Sequence, residues 1–314
     1  MYIMGEQGYP YEPLVCILVL NWNGYEVTTA CVTSLQKIYY NNKKIIIVDN
    51  GSIDGSGDIF KDKFQDVDVL ALEKNYGYAG GNNRGITFAL GKYKPDYILI
   101  LNNDTVVEPN FLSSMVKIAE KENNCAAVVP KIFYFEPNNV LYFAGGALNR
   151  ISGIAHHYGK HQFDSAKYSN IRKVTLANGC SVLLKVKLLQ GELFFDERFF
   201  ANIEDVELSL RILKRNYDIL YQPNAILWHK EAYSTKKNNS QPFRLYLATR
   251  NIILMQRRHL SGFMFPIFLI VFLIRWVFYL QLKAILTADQ KSVKSIMVGF
   301  IHGFSGKLIN VNSL

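Results

Sequence analysis

Tyr97-Ile98-Leu99-Ile100-Leu101-Asn102-Asn103-Asp104 decides how this chain folds. Its apolar residues run unbroken into a polar tip that ends in one carboxylate. A continuous apolar run of this length reads as a strand buried on both faces, as in a parallel sheet. Ligands of open α/β sheets bind beyond the carboxyl ends of the strands, so Asp104 is expected to face a cleft while Thr105 to Pro109 turn the chain away. A hard oxygen ligand there suits a divalent cation clamped on a diphosphate, and it also suits a plain acidic turn after a core strand. The neighbouring segments weigh between the two.

Leu14 to Leu20 is a first buried strand, stopped by Asn21-Trp22-Asn23-Gly24, and Tyr25 to Ile38 follows with apolar positions at helical spacing. Lys43 to Val48 is a second strand that ends in Asp49-Asn50-Gly51-Ser52. A helix over 57–64 and a strand over 67–72 come next. The glycine-rich stretch Asn75 to Gly85 is read as a loop leading into a helix at 86–90, where backbone amides approach an anion. It lacks the dinucleotide fingerprint, which places its glycines directly after the first strand. A helix over 110–122 and a strand over 126–129 complete an alternating β/α half-domain with polar strand ends at Asn21, Asp49 and Asp104.

Beyond residue 130 the pattern is mixed. Val140 to Ala155 resembles hairpin material, and two short apolar runs bracket Asn178-Gly179-Cys180, where they cap the cleft and shape an acceptor pocket. Ile203-Glu204-Asp205-Val206-Glu207 opens a helix whose far end carries Arg211, Lys214 and Arg215, matching the helix dipole at both ends. Capping is one role for these acids. The dipole is also expected to keep Asp205 ionised, as a low-pKa carboxylate able to accept a proton from a sugar hydroxyl. A last strand over 217–226 precedes Leu227-Trp228-His229-Lys230, and a neutral imidazole beside a carboxylate is a common metal pair.

At 314 residues, 49% hydrophobic and 19% charged, the chain is long and apolar enough for one large α/β domain with appendages. Its net charge of +9 is not a nucleic-acid signature, because +6 of it lies in the most apolar part, from Gln256 to Leu314. Basic and apolar together favour an anionic membrane surface. Cys16, Cys31, Cys125 and Cys180 form no CxxC pair and read as buried thiols in a reducing compartment. Met1 to Pro13 has no basic n-region, so no secretory signal is expected and the catalytic part belongs in the cytoplasm.

Taken in order, Asn21-Trp22-Asn23-Gly24, Val48 to Ser52, Asn75 to Gly85, Leu101 to Asp104, Ile203 to Asp205 and Trp228-His229 resemble the family 2 inverting glycosyltransferases of the GT-A fold, over about Leu14 to Ser234. The resemblance implies an α/β fold with a nucleotide-binding Rossmann-like half (14–130) and a mixed-sheet acceptor half (131–235). A short extension (1–13) precedes them and a membrane-associated helical tail (236–314) follows. It implies that Asp49 and Asn50 hold the base and ribose of a nucleotide-diphosphate sugar, with Asn21, Asn23, Gly81, Asn83 and Asn103 beside them. Asp205 is the implied catalytic base, and Gly179, Glu204 and Trp228 line the acceptor side. Asn102 stands where the family's DxD motif has its first acid, so Asp104 is left as the anionic ligand for Mg2+ or Mn2+ and His229 becomes its partner. The Trp-Asn-Gly and Asp-Asn-Gly-Ser variants look most like rhamnosyltransferase-type and galactofuranosyltransferase-like members, which build cell-surface polysaccharides on lipid carriers.

Two other functions fit a β/α layout. A sugar-nucleotide nucleotidyltransferase needs a basic loop after the first strand, where this chain has Asn21 to Gly24, and a silent nucleotide-sugar-binding partner has no need of Asp104, Asp205 and His229. In the tail the uninterrupted apolar run, Phe263 to Ile274, is twelve residues long before Arg275. That is short of the roughly twenty a spanning helix needs, so peripheral or monotopic attachment at the cytoplasmic face is expected ahead of a true span, with Trp276 and Tyr279 at headgroup depth.

Overall fold

A computed structural model describes residues 12–149, 151–188, 195–230, 241–286 and 289–308. Strands β1 (Val15–Asn21), β2 (Lys43–Asp49), β3 (Asp68–Ala71) and β4 (Tyr97–Asn102) pair in parallel in the order β3-β2-β1-β4. Helices α1 (Tyr25–Gln36), α2 (Ser56–Lys63) and α3 (Gly77–Tyr93) cross between them. The sequence reading of β1 and β4 as two-sided strands holds, since Val15 to Val19 and Ile98 to Ile100 are all fully buried. Register aligns Asn21 with Asp49 and Leu20 with Asn102, so the polar tips form one edge.

The second half extends the same sheet. After β5 (Thr105–Val107) and α4 (Phe111–Lys121), β6 (Cys125–Tyr134) lies two strands from β4. Short strands β7 (Leu141–Phe143), β8 (Gly146–Leu148), β9 (Ala155–His157) and β10 (Arg172–Val174) follow. Then β11 (Ser181–Lys185) slots antiparallel between β4 and β6. Helix α5 (Glu204–Lys214) leads into β12 (Asp218–His229), which runs parallel to β6 and antiparallel to β5. The β8–β9 pair makes a hairpin in the region expected to hold one.

The glycine-rich stretch departs from expectation. Helix α3 already begins at Gly77, so Gly80, Gly81 and Gly85 lie inside it and do not form an anion-cradling loop before it. Their job is close packing. A Cβ on Gly81 would come within 2.6 Å of Leu20 Cδ1, and one on Gly85 within 2.7 Å of Val48 Cγ2, so the bare backbone lets α3 lie directly on β1 and β2.

Toward the C-terminus, α6 (Gln241–His259) does not stand apart. Its Leu254 and Met255 join the main core, and Arg250 and Asn251 are fully buried. Then come α7 (Met264–Phe272), a π-helical stretch (Leu273–Phe278), α8 (Tyr279–Leu286) and α9 (Gln290–Ser305), the last packed on α6. Helix thus continues past the position expected to interrupt it. Met264–Leu282, 19 residues at mean hydropathy 2.0 and 12% buried, is the one span among the described residues long and apolar enough to cross a membrane. The side chain of Arg275, and the expectation that it snorkels, lie outside the described residues, as do Met1 to Tyr11. All four cysteines are free and buried, and burial pushes the Cys31 thiol up to about 12.

Candidate active site

Pairing of β5 with β12 creates the first half of the site. His229 is registered opposite Thr105, and the Lys230 amide donates to the Asp104 carbonyl at 2.8 Å. Residues 125 positions apart are thereby set side by side, with His229 Nε2 3.1 Å from Asp104 Oδ1. Both side chains are buried, yet Asp104 Oδ1 and His229 Nδ1 lack a hydrogen-bond partner among the described residues. Buried polar atoms are nearly always satisfied, so a buried carboxylate oxygen whose polar neighbour is the His229 ring, with Nδ1 of that ring unpartnered, makes this pair a candidate ligand position. The donor types fit a divalent cation. Among the described residues no third His, Cys, Asp or Glu joins them, which suits an ion that takes its other ligands from phosphate and water. The Tyr142 ring meets His229 edge-on at 5.0 Å and fixes the imidazole plane.

The second half is the start of α5. Asp205 Oδ2 accepts from the Gly179 amide at 2.7 Å and Oδ1 from the Val206 amide at 2.8 Å. Its neighbour Glu204 is buried with Oε2 unpartnered. Burial, and then the Asp205 charge, push Glu204 up to about 8. Asp205 is also raised, by burial, against the pull of its backbone donors. This corrects the expectation of a low-pKa Asp205: amides at a helix start favour the anion, but loss of water outweighs them here. The two acids nonetheless differ, because Asp205 has two N–H donors and Glu204 Oε2 has none, so Asp205 ionises first.

One loop ties the halves together. Gly179 holds Asp205, and the next residue, Cys180, accepts through its carbonyl from the Asn102 amide at 2.9 Å, at the end of β4. The Tyr78 hydroxyl donates to the Gly179 carbonyl, adding α3 to the same knot. A Cβ on Gly179 would lie 3.2 Å from Asp205 Oδ2, so the glycine lets the backbone close on the acid.

Around the strand ends, the asparagines face inward. Asn21 Nδ2 donates to Asp49 Oδ1 (2.9 Å) and Ser56 Oγ (2.9 Å), and its Oδ1 accepts from Thr28 Oγ1 (2.8 Å). Asn103 Nδ2 reaches the same Thr28 hydroxyl at 2.8 Å. Asn50 donates to Asn75 Oδ1 and the Gly77 carbonyl while accepting from the Tyr76 amide, which pins the entry to α3. Asn83 clamps both backbone groups of Phe195, and Asn23 Oδ1 accepts from the Ile53 amide. Trp228 stacks on Phe133 and donates to the Asn138 carbonyl at 3.1 Å. These amides and the indole are committed to protein partners. Residues that sequence reasoning missed include Tyr142, Arg250 and Asn251, which sit in no recognisable motif, and Tyr78, inside the glycine-rich stretch.

Residues 16–184 match the family described as Glycosyl transferase family 2. The chain belongs to that family. Among curated relatives, family membership agrees with an N-acetylglucosaminyl-diphospho-decaprenol L-rhamnosyltransferase of Mycobacterium tuberculosis, 23% identical over 68% of this chain and 75% of that protein. It agrees too with the glycosyltransferase GlyG of Streptococcus pneumoniae, 30% identical over 41% of this chain and 43% of that one. A low-salt glycan biosynthesis hexosyltransferase, Agl10 of Haloferax volcanii, is 23% identical over 59% of each chain. Several curated relatives are thus matched over less than two thirds of their length, down to 27% for an uncharacterised protein of Sinorhizobium fredii. Two solved structures share the fold. The mannosyltransferase PcManGT of Pyrobaculum calidifontis, bound to GDP-Man and Mn2+, superposes with a TM-score of 0.56 at 12% identity over 95% of this chain and 89% of its own. GalNAc-T7 with UDP, GalNAc and Mn2+ gives 0.62 at 15% identity over 78% and 48%. The fold of this family 2 chain is GT-A.

Proposed function

We propose that the chain transfers a sugar from a nucleotide-diphosphate donor to a hydroxyl of a lipid-linked or glycan acceptor, with inversion, in the synthesis of a cell-surface glycan; rhamnose is the sugar that the rhamnosyltransferase relative suggests. The observation that supports this is a shared loop: the Gly179 amide donates to Asp205, and the Cys180 carbonyl accepts from Asn102, two residues before the Asp104 carboxylate that lies 3.1 Å from His229. In this reading Asp205 takes the proton of the attacking hydroxyl. Its raised pKa makes it a stronger base than a solvated carboxylate, provided it is ionised. Glu204 keeps its proton at neutral pH, so the pair carries one negative charge, and that charge resides on the acid with two N–H donors. Asp104 and His229 would hold Mg2+ or Mn2+, which supplies neutralisation of the leaving diphosphate. Asp49, the last residue of β2, is locked by Asn21 and Ser52 and would face the donor. The Gly179 loop and Glu204 border the acceptor side.

Exposed Phe263, Ile267, Ile270 and Ile274 on the apolar helix, with the basic residues of the same region, support contact with an anionic membrane. The deciding experiment for the activity is a screen of nucleotide sugars for Mn2+-dependent hydrolysis and transfer, run with wild type and Asp205→Asn. Loss of the base is expected to lower kcat by about 10²- to 10⁴-fold while the donor KM stays put. Near-normal transfer by Asp205→Asn would remove the base assignment.

A further inference from the structure

The segment that delivers the two acids to the cleft is conformationally costly. Phe200 (φ 62), Asn202 (φ 68) and Ile203 (φ 75) all occupy the left-handed region without being glycine, and Ile203 is β-branched. Such backbone persists only where its surroundings over-determine it, and it clusters at functional sites. Ile203 is the N-cap of α5, so whatever holds this turn also sets the direction in which Glu204 and Asp205 leave it.

What holds it is α6. The fully buried Asn251 Nδ2 shares its two N–H bonds among three carbonyls of the turn, those of Phe199 (2.9 Å), Ala201 (2.9 Å) and Asn202 (2.8 Å). Arg250, also fully buried, donates to the Arg198 carbonyl (2.7 Å) and to Asn251 Oδ1 (2.6 Å), which orients that amide. Its other nitrogens reach the carbonyls of Gly306 (2.6 Å) and Lys307 (2.5 Å), just past α9. About two turns further along α6, His259 (3.0 Å) and Arg258 (3.2 Å) grip Glu207 in the first turn of α5. On the opposite side, the Phe200 carbonyl accepts from the Ala79 amide at 3.0 Å, which joins the turn to α3.

We infer that Asn251, oriented by Arg250, is a positioning residue for the Glu204–Asp205 pair: α6 clamps the left-handed turn Phe200–Ile203 and so aims the first turn of α5 at the cleft. Helix α6, which follows the last strand β12, is therefore a support of the catalytic apparatus. This rests on the reading of Asp205 as the base. Misplacing a reacting group by about 1 Å costs about 10²-fold in rate, whereas the donor edge lies on other elements.

The test uses the full chain with Asn251→Leu, which keeps size and removes the donors, and Arg258→Gln, a half-exposed position that tolerates substitution. The readouts are kcat and donor KM for Mn2+-dependent hydrolysis of the nucleotide sugar found in the screen, and the pH dependence of kcat. Asn251→Leu is expected to lower kcat about 10- to 100-fold with donor KM within about twofold, and to move the acidic limb of the pH profile downward as Asp205 regains water. Arg258→Gln should move both readouts the same way by a smaller factor. Wild-type kcat and pH profile in folded Asn251→Leu would overturn the inference. So would activity lost only in proportion to folded protein, with the pH profile unmoved. If Asn251→Leu does not fold, Arg258→Gln decides alone, and an unchanged profile there overturns it. Asp205→Asn run alongside separates the two claims: its retained transfer would sink the base assignment, not the clamp.

Discussion

Replacing Glu204 by Gln should stabilise the protein at alkaline pH and cost it about 1 kcal/mol at acid pH. Glu204 is buried, its Oε2 has no partner, and Asp205 is its neighbour, which together raise its pKa from 4.5 to about 8. Folding therefore takes up a proton between those values. Because the folded state binds the proton more tightly, stability is fully present below the unfolded value, declines as pH rises, and reaches its lowest level above the folded value. At about 1.4 kcal/mol per unit, the ceiling for this group is on the order of 5 kcal/mol, shared with the coupled titration of Asp205. The amide removes that penalty at a cost of about 1 kcal/mol for a buried NH2. Thermal unfolding of both forms from pH 5 to pH 9 reads the effect directly. Wild type should lose Tm steadily over that range while Glu204→Gln stays flat, the curves diverging above neutrality. Parallel curves would refute the burial of an ionisable, unpartnered acid beside Asp205.

Other consequences are as direct. Asp104→Asn and His229→Ala should each abolish the Mn2+-dependent part of donor binding measured by calorimetry, and metal-independent affinity in wild type would remove the cation from the pair. Gly77→Ala places a Cβ within 2.5 Å of the Phe200 carbonyl at a backbone φ of +73. It should cost about 2 kcal/mol or more, seen as a lower denaturation midpoint. Arg250→Met strands several buried carbonyls and should destabilise by about 3 kcal/mol in the same assay. Alkaline carbonate washing of membranes should release the protein if Met264–Leu282 lies in the interface, while retention would show a spanning helix.

Strands buried on both faces were the most legible parts of the chain, because a two-sided strand has to be written as an unbroken apolar run. β1, β2 and β4 declared themselves in this way, and their polar tips told where the edge would be. Longer strands hid their ends. β6 continues through Pro130 and Lys131, both stop signals by composition, because Lys131 is buried against Asp164 at 2.7 Å. β12 likewise runs on through Trp228 and His229, past the expected end at residue 226. Helix α3 was misread for a different reason: its glycines are poor helix formers taken alone, and only the sheet beneath shows that side chains there would collide.

Within the site, residue types were legible and their states were not. Asp104 and His229 read as ligand types, but what sets them 3.1 Å apart is the long-range pairing of β5 with β12. The direction of the Asp205 pKa shift departs from the expectation because the helix start is a local feature and burial is a tertiary one. Asn251 could not be read at all, since an amide that addresses backbone carbonyls needs no particular sequence at the other end. That blindness has a physical consequence. The groups that move protons and hold phosphate lie at strand and helix ends, where motifs form, while the force that keeps an expensive turn in place comes from wherever the chain can bring a buried donor. Here that donor arrives from α6, beyond the last strand β12, so a truncation drawn just after β12 would keep both acids and lose what aims them.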